Sequence, residues 1–262
     1  MLPLVITRPD ADFRLDARER ELRDAGIELH WFPLIKIMPP HDPEPARQAL
    51  ACLHTFDCAI PVSPAAVRAT FSMLKRPWPA SCTVGLIGPG SRAAFEHALR
   101  LRHQQPGSVS LTSTPADAAD SEGLWCRLQA LRPQGWAGAK VLLLRGGSGR
   151  DWLADTLVAS GAFVQIVDVY RREPPPANAA TLSALRSLLT GPSAWLLTAS
   201  EGVRNLQRLL AASGLRAKEA LATQRALVIH ARIADVAAAV GFGRVDVCSA
   251  EASAIIRALA MS

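Results

Sequence analysis

The chain has 262 residues, 49% of them hydrophobic and 20% charged, which is enough apolar material for one large or two modest α/β domains. Its formal net charge of +6 suits an acidic partner such as nucleic acid, an anionic surface or a polycarboxylate. The bases stand singly and aromatics make up only 5%, so the clustered stripe or stacking platform of a nucleic-acid binder is absent.

In chain order, Leu2 to Thr7 reads as a short apolar strand ending at Arg8-Pro9. Asp10 to Asp24 has helical spacing (Phe13, Leu15, Ala17, Leu22) and stops at Gly26. Ile27 to Met38 reads as one strand closed by Pro39-Pro40. Asp57 to Ser63 leads into a helix from Pro64 to Leu74, and Thr83 to Ile87 leads through Gly88-Pro89-Gly90-Ser91 into another. Arg102 to Asp120 is polar, with a short strand expected near Val109 to Leu111.

The next stretch repeats the opening pattern. Val141 to Leu144 is an apolar run of the kind a strand buried on both faces shows. Arg145 and the loop Gly146-Gly147-Ser148-Gly149-Arg150 follow, then Asp151 as an expected N-cap, a helix stopped by Gly161, and a strand from Phe163 to Tyr170. Arg8 answers Arg145, Gly26 answers Gly161, and Pro39-Pro40 answers Pro174-Pro175. Ser193 to Ser200 then leads into a helix from Glu201 to Leu210. Leu227 to Ile229 leads through His230-Ala231-Arg232 into a helix from Ile233 to Val240, stopped by Gly241. The order amounts to two rounds of strand-loop-helix units, for which an internal duplication is the economical account. Alternating strands and helices predict parallel sheets with helices on both faces.

Ligands of open parallel sheets bind beyond the strands' carboxyl ends. The residues expected there are Thr7-Arg8, Ser63-Pro64, Gly88 to Ser91, Arg145 to Arg150, Thr198 to Ser200 and His230 to Arg232. Hydroxyls, glycines and arginines at helix starts make carboxylate or phosphate sites, although each Ser or Thr has helix capping as its alternative role. A dinucleotide fingerprint read from Gly147 puts Trp152 where the third glycine belongs, and no P-loop or serine-hydrolase elbow occurs. The six histidines lack ligand spacing, and the five cysteines, with no CxxC pair, read as buried thiols rather than a metal site or disulfides. Tyr170, the single tyrosine, is either an amphipathic residue at a strand end or a phenol that protonates a leaving oxygen. The N-terminal stretch has no signal-peptide pattern and no apolar run approaches the ~20 residues of a membrane span, so a cytoplasmic protein with no membrane partner is expected.

Taken together, ITRP at the start, FPLIKI-PP at the first crossing, VLLLRGGSGRDWLADTLVASGAFVQIVDVYRR, TASEGVRNL and HARIADVAAAVGF resemble the uroporphyrinogen-III synthase (HemD) family from Leu4 to Leu259. Pro61-Val62 stands where a Phe-Thr pair often precedes the serine, and Ser91 where a threonine is usual. The resemblance implies two similar flavodoxin-like α/β domains joined by a two-stranded β-ladder hinge, with the active site in the cleft between them. Domain 1 would be discontinuous, residues 1–36 plus 172–262, and domain 2 would be residues 37–171. It further implies a cofactor-free lyase that cyclises hydroxymethylbilane with loss of water and inversion of the last ring. Tyr170 would be the catalytic residue. Arg8, Ser63, Pro64, Gly90, Ser91, Arg145, Gly146, Gly147, Thr198, Ser200 and Arg232 would bind the substrate's carboxylates. A monomer with a transient contact to the preceding deaminase is implied as well. Two other readings stand beside it: a nucleotide-dependent Rossmann-like enzyme, and a two-lobed anion-binding module without catalysis.

Overall fold

The structure, a computed structural model, describes residues 1–9, 17–115, 118–147 and 151–261. The chain runs β1 (Leu4–Ile6), α1 (Ala17–Asp24), β2 (Leu29–Trp31) and β3 (Lys36–Met38). It continues through α2 (Glu44–Ala51), β4 (Cys58–Pro61), α3 (Pro64–Met73), β5 (Thr83–Leu86), α4 (Gly88–Leu101), β6 (Leu111–Ser113) and α5 (Ser121–Leu131). Next come β7 (Lys140–Gly146), α6 (Trp152–Ala159), β8 (Phe163–Glu173), α7 (Ala179–Leu188), β9 (Ala194–Leu197) and α8 (Ser200–Ala212). The last elements are α9 (Ala217–Leu221), β10 (Arg225–Val228), α10 (Ala231–Val240), β11 (Arg244–Val247) and α11 (Ala252–Ala260).

Two compact units result: Met1–Ile37 with Glu173–Ser262, and Met38–Arg172. The first unit holds a sheet of order β2-β1-β9-β10-β11 with parallel pairs throughout. The second sheet has the order β3-β8-β7-β4-β5-β6, parallel from β8 to β6. Matching the two rounds of the sequence element by element sets β1 against β7, β2 against β8, β9 against β4 and β10 against β5. Under that matching the two sheet orders coincide. Each unit therefore takes its opening βαβ from one round and its remaining strands from the other, which is why the first unit is discontinuous in sequence.

Residue alternation decides which face each side chain covers. In the first unit Leu4, Ile6, Ala194, Leu196 and Leu227 pack into a core with Leu22, Ile255 and Leu259 of the helices on one face. Val5, Trp195, Leu197, Ala226 and Val228 pack with Val203, Leu206 and Ile233 on the other. Trp195 is fully buried and meets Phe32 and Phe242 edge-on at 6.1 and 6.4 Å. Its indole N–H donates to Gln224 Oε1 at 3.2 Å, and the same oxygen accepts from the Ser193 hydroxyl at 2.7 Å. In the second unit Cys58, Ile60, Val141 and Leu143 face α5 and α6 through Leu124, Leu128, Leu153 and Leu157.

Three local expectations are corrected. Ile27 to Met38 forms two strands, because Pro33 has no N–H to give to a ladder; Phe32 N–H and Leu34 N–H instead donate to Ile6 and Thr7 carbonyls at 3.0 and 3.1 Å. The short strand of the polar stretch lies at Leu111–Ser113, two residues beyond its expected start. Asp151 stands at the N-cap of α6 but makes no capping hydrogen bond, since its carboxylate takes Arg145. The stops at Gly26 and Gly161 adopt φ of 75° and 88°, the left-handed backbone that favours glycine. Of the expected first helix, residues 10–16 lie outside the described residues.

Candidate functional site

Each sheet has a point where the connections change direction, and the crevice above it is where α/β sheets bind ligands. In the second unit that point lies between β4 and β7, and Ser63, Arg145, Gly146 and Gly147 stand at its rim. A pocket of about 240 Å³ opens there, lined by Val62, Ile87, Leu143, Leu153 and Tyr170 with Arg145, Arg172 and Ser121 as its polar groups.

Ser63 caps α3: its hydroxyl oxygen accepts from Ala66 N–H at 3.1 Å, and Pro64 occupies the first helical turn, where a missing N–H costs nothing. The same hydroxyl lies 3.3 Å from the Tyr170 phenol oxygen. Ser63 thus caps α3 and also lies beside Tyr170. Tyr170 is 2% exposed, and the guanidinium of Arg172 reaches its oxygen at 3.4 Å. The Arg172 guanidinium carbon lies 6.0 Å from the ring centroid. Gly146 sits directly against this ring: a Cβ there would lie 2.2 Å from its Cε2 and Cζ atoms. Arg145 is held by Asp151, with Asp168 at 3.8 Å, so its charge is already shared by two carboxylates. Ser148, Gly149 and Arg150 lie outside the described residues.

The first turn of α4 divides the expected pair. Gly90 is exposed and faces Pro64, whose Cγ is 3.5 Å from where its Cβ would be. Ser91 is 0% exposed, and its hydroxyl is buried without a hydrogen-bond partner among the described residues. Gly88, one turn earlier, gives its N–H to the buried Thr114 hydroxyl at 2.7 Å.

In the first unit the corresponding point lies between β1 and β9. Thr7 is buried and donates to Leu196 carbonyl at 2.6 Å, which ties β1 to β9 rather than facing a ligand. Arg8 pairs with the buried Glu19 and lies over Trp31 at 5.3 Å. Thr198 and Ser200 stand half-buried at the start of α8. Arg232 is exposed in the first turn of α10, its backbone N–H held by His230 Nδ1 at 3.1 Å. The second unit thus gathers Ser63, Pro64, Gly90, Arg145, Gly146, Gly147 and Tyr170, and the first unit carries Arg8, Thr198, Ser200 and Arg232.

Sequence reading missed Arg172 and Glu19. Arg172 was legible, because two residues beyond Tyr170 on a strand is the same face. Glu19 carried no signal; on a short helix it reads as one more surface charge. Among the described residues, no group of three His, Cys, Asp or Glu is placed to hold a metal ion, and no helix is long and apolar enough to cross a membrane.

Comparison with known proteins agrees in both sequence and fold. The family described as uroporphyrinogen-III synthase HemD matches residues 16–255. The chain is 30% identical over 263 residues to the uroporphyrinogen-III synthase of Escherichia coli, with 98% of this chain and 100% of that one covered. The Salmonella typhimurium enzyme is 29% identical over 265 residues, at the same coverage. Among solved structures, the uroporphyrinogen-III synthetase of Helicobacter pylori superposes with a TM-score of 0.60 over 100% of both chains at 15% identity. A mutant uroporphyrinogen III synthase from Thermus thermophilus gives 0.50, with 99% of this chain and 100% of that one covered at 19% identity. At those identities the structural likeness speaks for the fold alone.

Proposed function

The chain belongs to the uroporphyrinogen-III synthase family, lyases that cyclise hydroxymethylbilane, and we propose that Tyr170 and its neighbours carry the chemistry in this chain. The reaction closes the linear tetrapyrrole to uroporphyrinogen III, releases water and inverts the last ring. A nucleotide-dependent enzyme and a non-catalytic anion binder are both disfavoured by that membership.

In the proposed mechanism the Tyr170 phenol gives a proton to the terminal hydroxyl as its carbon–oxygen bond breaks, so that water departs. The inner carbon of the last pyrrole then attacks the resulting electrophilic carbon, forming a spirocyclic pyrrolenine. This breaks the bond from the inner carbon to its original bridging carbon, the ring turns over and closes through its other α-carbon, and the proton lost there returns to the Tyr170 phenolate. The pyrrole nitrogen already pushes the hydroxyl out, so the acid's share is modest and holding the chain folded is the larger task. Arg8, Arg145 and Arg232, the hydroxyls of Ser63, Thr198 and Ser200, and the backbone about Pro64, Gly90 and Gly147 contribute carboxylate contacts. A protein of net charge +6 favours such a polyanion at long range. The reading extends to a monomer in the cytoplasm that receives its bilane through transient contact with the preceding deaminase.

The observation that carries this reading is the phenol oxygen of a nearly buried tyrosine set 3.3 Å from Ser63 Oγ and 3.4 Å from Arg172 Nη2 beside a pocket at the β4/β7 switch point. Chromatography of the porphyrin isomers formed from hydroxymethylbilane tests it. Added protein should give the inverted isomer, and the uninverted product of spontaneous closure alone would overturn the assignment. Tyr170→Phe should slow turnover by about 10- to 100-fold, the lower part of what a general acid supplies. Wild-type turnover in that variant would remove Tyr170 from the mechanism.

A further inference from the structure

Gly146 and Gly147 are neighbours in the same loop, yet they are glycines for different reasons. Gly147 has φ of 64° with nothing within 4 Å of a notional Cβ, so its backbone conformation is what favours glycine. Gly146 is not among the residues of positive φ, and its backbone would accept a side chain. What excludes one is Tyr170: a Cβ would lie 2.2 Å from ring atoms Cε2 and Cζ and 2.6 Å from Cδ2, whereas ordinary contact begins at 3.4 Å. The ring or the strand would have to give by about 1.2 Å.

The closeness comes from an irregularity in strand pairing. β7 and β8 run in register from Lys140↔Phe163 to Arg145↔Asp168, and the next pair is Gly146↔Tyr170, so Val169 is an extra residue on β8. Such a bulge redirects a side chain, and here it makes Tyr170 the direct neighbour of Gly146. Beyond the ring, the exposed Arg172 brings Nη2 to 3.4 Å from the phenol oxygen, and Ser63 Oγ, fixed by its bond to Ala66 N–H, stands at 3.3 Å. The ring face and the oxygen are therefore constrained by separate groups.

We infer that Gly146 and Arg172 are positioning residues for this reaction: Gly146, placed by the Val169 bulge, seats the Tyr170 ring, and Arg172 holds its phenol oxygen beside Ser63. The inference rests on the proposed role of Tyr170. Its consequence is steric and directional, since misplacement of a reacting group by about 1 Å costs on the order of 100-fold in rate.

The test is a mutant cycle with kinetics and a tyrosine signal. Gly146→Ala should lower kcat by about 10- to 100-fold, and should change kcat by less than about 2-fold when added to Tyr170→Ala, where no ring remains to meet. If Gly146→Ala alone does not fold, Tyr170→Ala should restore soluble protein to it. Failure to restore it, or an undiminished penalty in the Tyr170→Ala background, would overturn the inference. Gly147→Ala serves as the contrast, with a stability penalty that persists in the Tyr170→Ala background. Because the chain has a single tyrosine, ¹³C-labelled tyrosine reports this ring alone. Arg172→Gln should move that resonance and lower kcat by about 3- to 10-fold with KM held within about 2-fold. A raised KM with unchanged kcat and an unmoved resonance would make Arg172 a substrate contact instead and defeat its assignment. Wild-type turnover in Tyr170→Phe would defeat the underlying reading. An impaired Tyr170→Phe with an additive Gly146→Ala defeats the positioning role alone.

Discussion

The two units present the same topological place in different chemical states. Above β4 and β7 the second unit has a pocket lined by Tyr170, Arg145 and Arg172, with Ser63 and Arg172 both in reach of the phenol oxygen. Above β1 and β9 the described residues of the first unit are differently engaged: Thr7 donates to Leu196, Arg8 pairs with Glu19 and lies over Trp31, and Arg232 stands exposed on the neighbouring α10. The matched strands are laid out in the same order, so the difference does not come from the fold. It comes from one strand: β8 runs on from Phe163 to Glu173 with a bulge that turns Tyr170 onto Gly146, while its counterpart β2 ends after Leu29–Trp31. On the proposed role of Tyr170, a shared scaffold would be reactive in one copy through local register and an anchor in the other.

The largest effect that bears on this comparison concerns the cores. Trp195→Ala removes a fully buried indole from the first unit and should cost about 3–5 kcal/mol. Hydrogen exchange should then show lost protection in β9 and β10 with β4 and β7 still protected; equal loss in both would mean the units share one cooperative core. Next comes the split between reacting and anchoring residues. Tyr170→Phe should act on kcat by about 10- to 100-fold, whereas Arg232→Gln should raise KM by about 3- to 10-fold at unchanged kcat. Steady-state kinetics showing the opposite assignment would reverse the roles given to the two units.

A smaller effect concerns the buried thiols of the second unit, Cys58 at the start of β4 and Cys82 just before β5. Gln224 plays the comparable buried polar part in the first unit, and Gln224→Leu should cost about 1–3 kcal/mol by leaving Ser193 and Trp195 donors without their acceptor. Burial, reinforced by the Asp57 charge, pushes the Cys82 thiol up to about 12 from 9.0, and burial pushes Cys58 up as well. A folded-state value above the unfolded one means the unfolded chain ionises first. The contribution of these thiols to stability is therefore complete below about pH 9 and is lost progressively toward pH 12. Urea midpoints should fall between pH 8 and pH 10.5, and fall less in a Cys58→Ala, Cys82→Ala double variant; identical slopes would remove the thiols as the cause. Contrary to the expectation of buried thiols throughout, Cys52 and Cys126 are exposed, so in the native protein a thiol reagent should label those two while sparing Cys58 and Cys82.

The order of apolar runs, glycine stops and proline crossings was enough to read alternating strands and helices, parallel sheets, a duplicated plan and the loops that end up at the strands' carboxyl ends. Those features are written locally: a strand buried on both faces must be apolar throughout, and a helix stop needs a residue tolerant of left-handed backbone. The fate of individual groups was not. Ser63 and Ser91 look alike in sequence, yet one caps a helix beside Tyr170 and the other is enclosed in α4. Asp151 was read as a cap and became the partner of Arg145, and Arg8 found Glu19. Burial, ion pairing and the Gly146↔Tyr170 register depend on residues brought together from distant parts of the chain, and no local pattern encodes which one arrives. Composition and periodicity set what each segment could become, and tertiary packing chose which side chains face the pocket, because only in the folded chain do strand register and neighbouring charges exist.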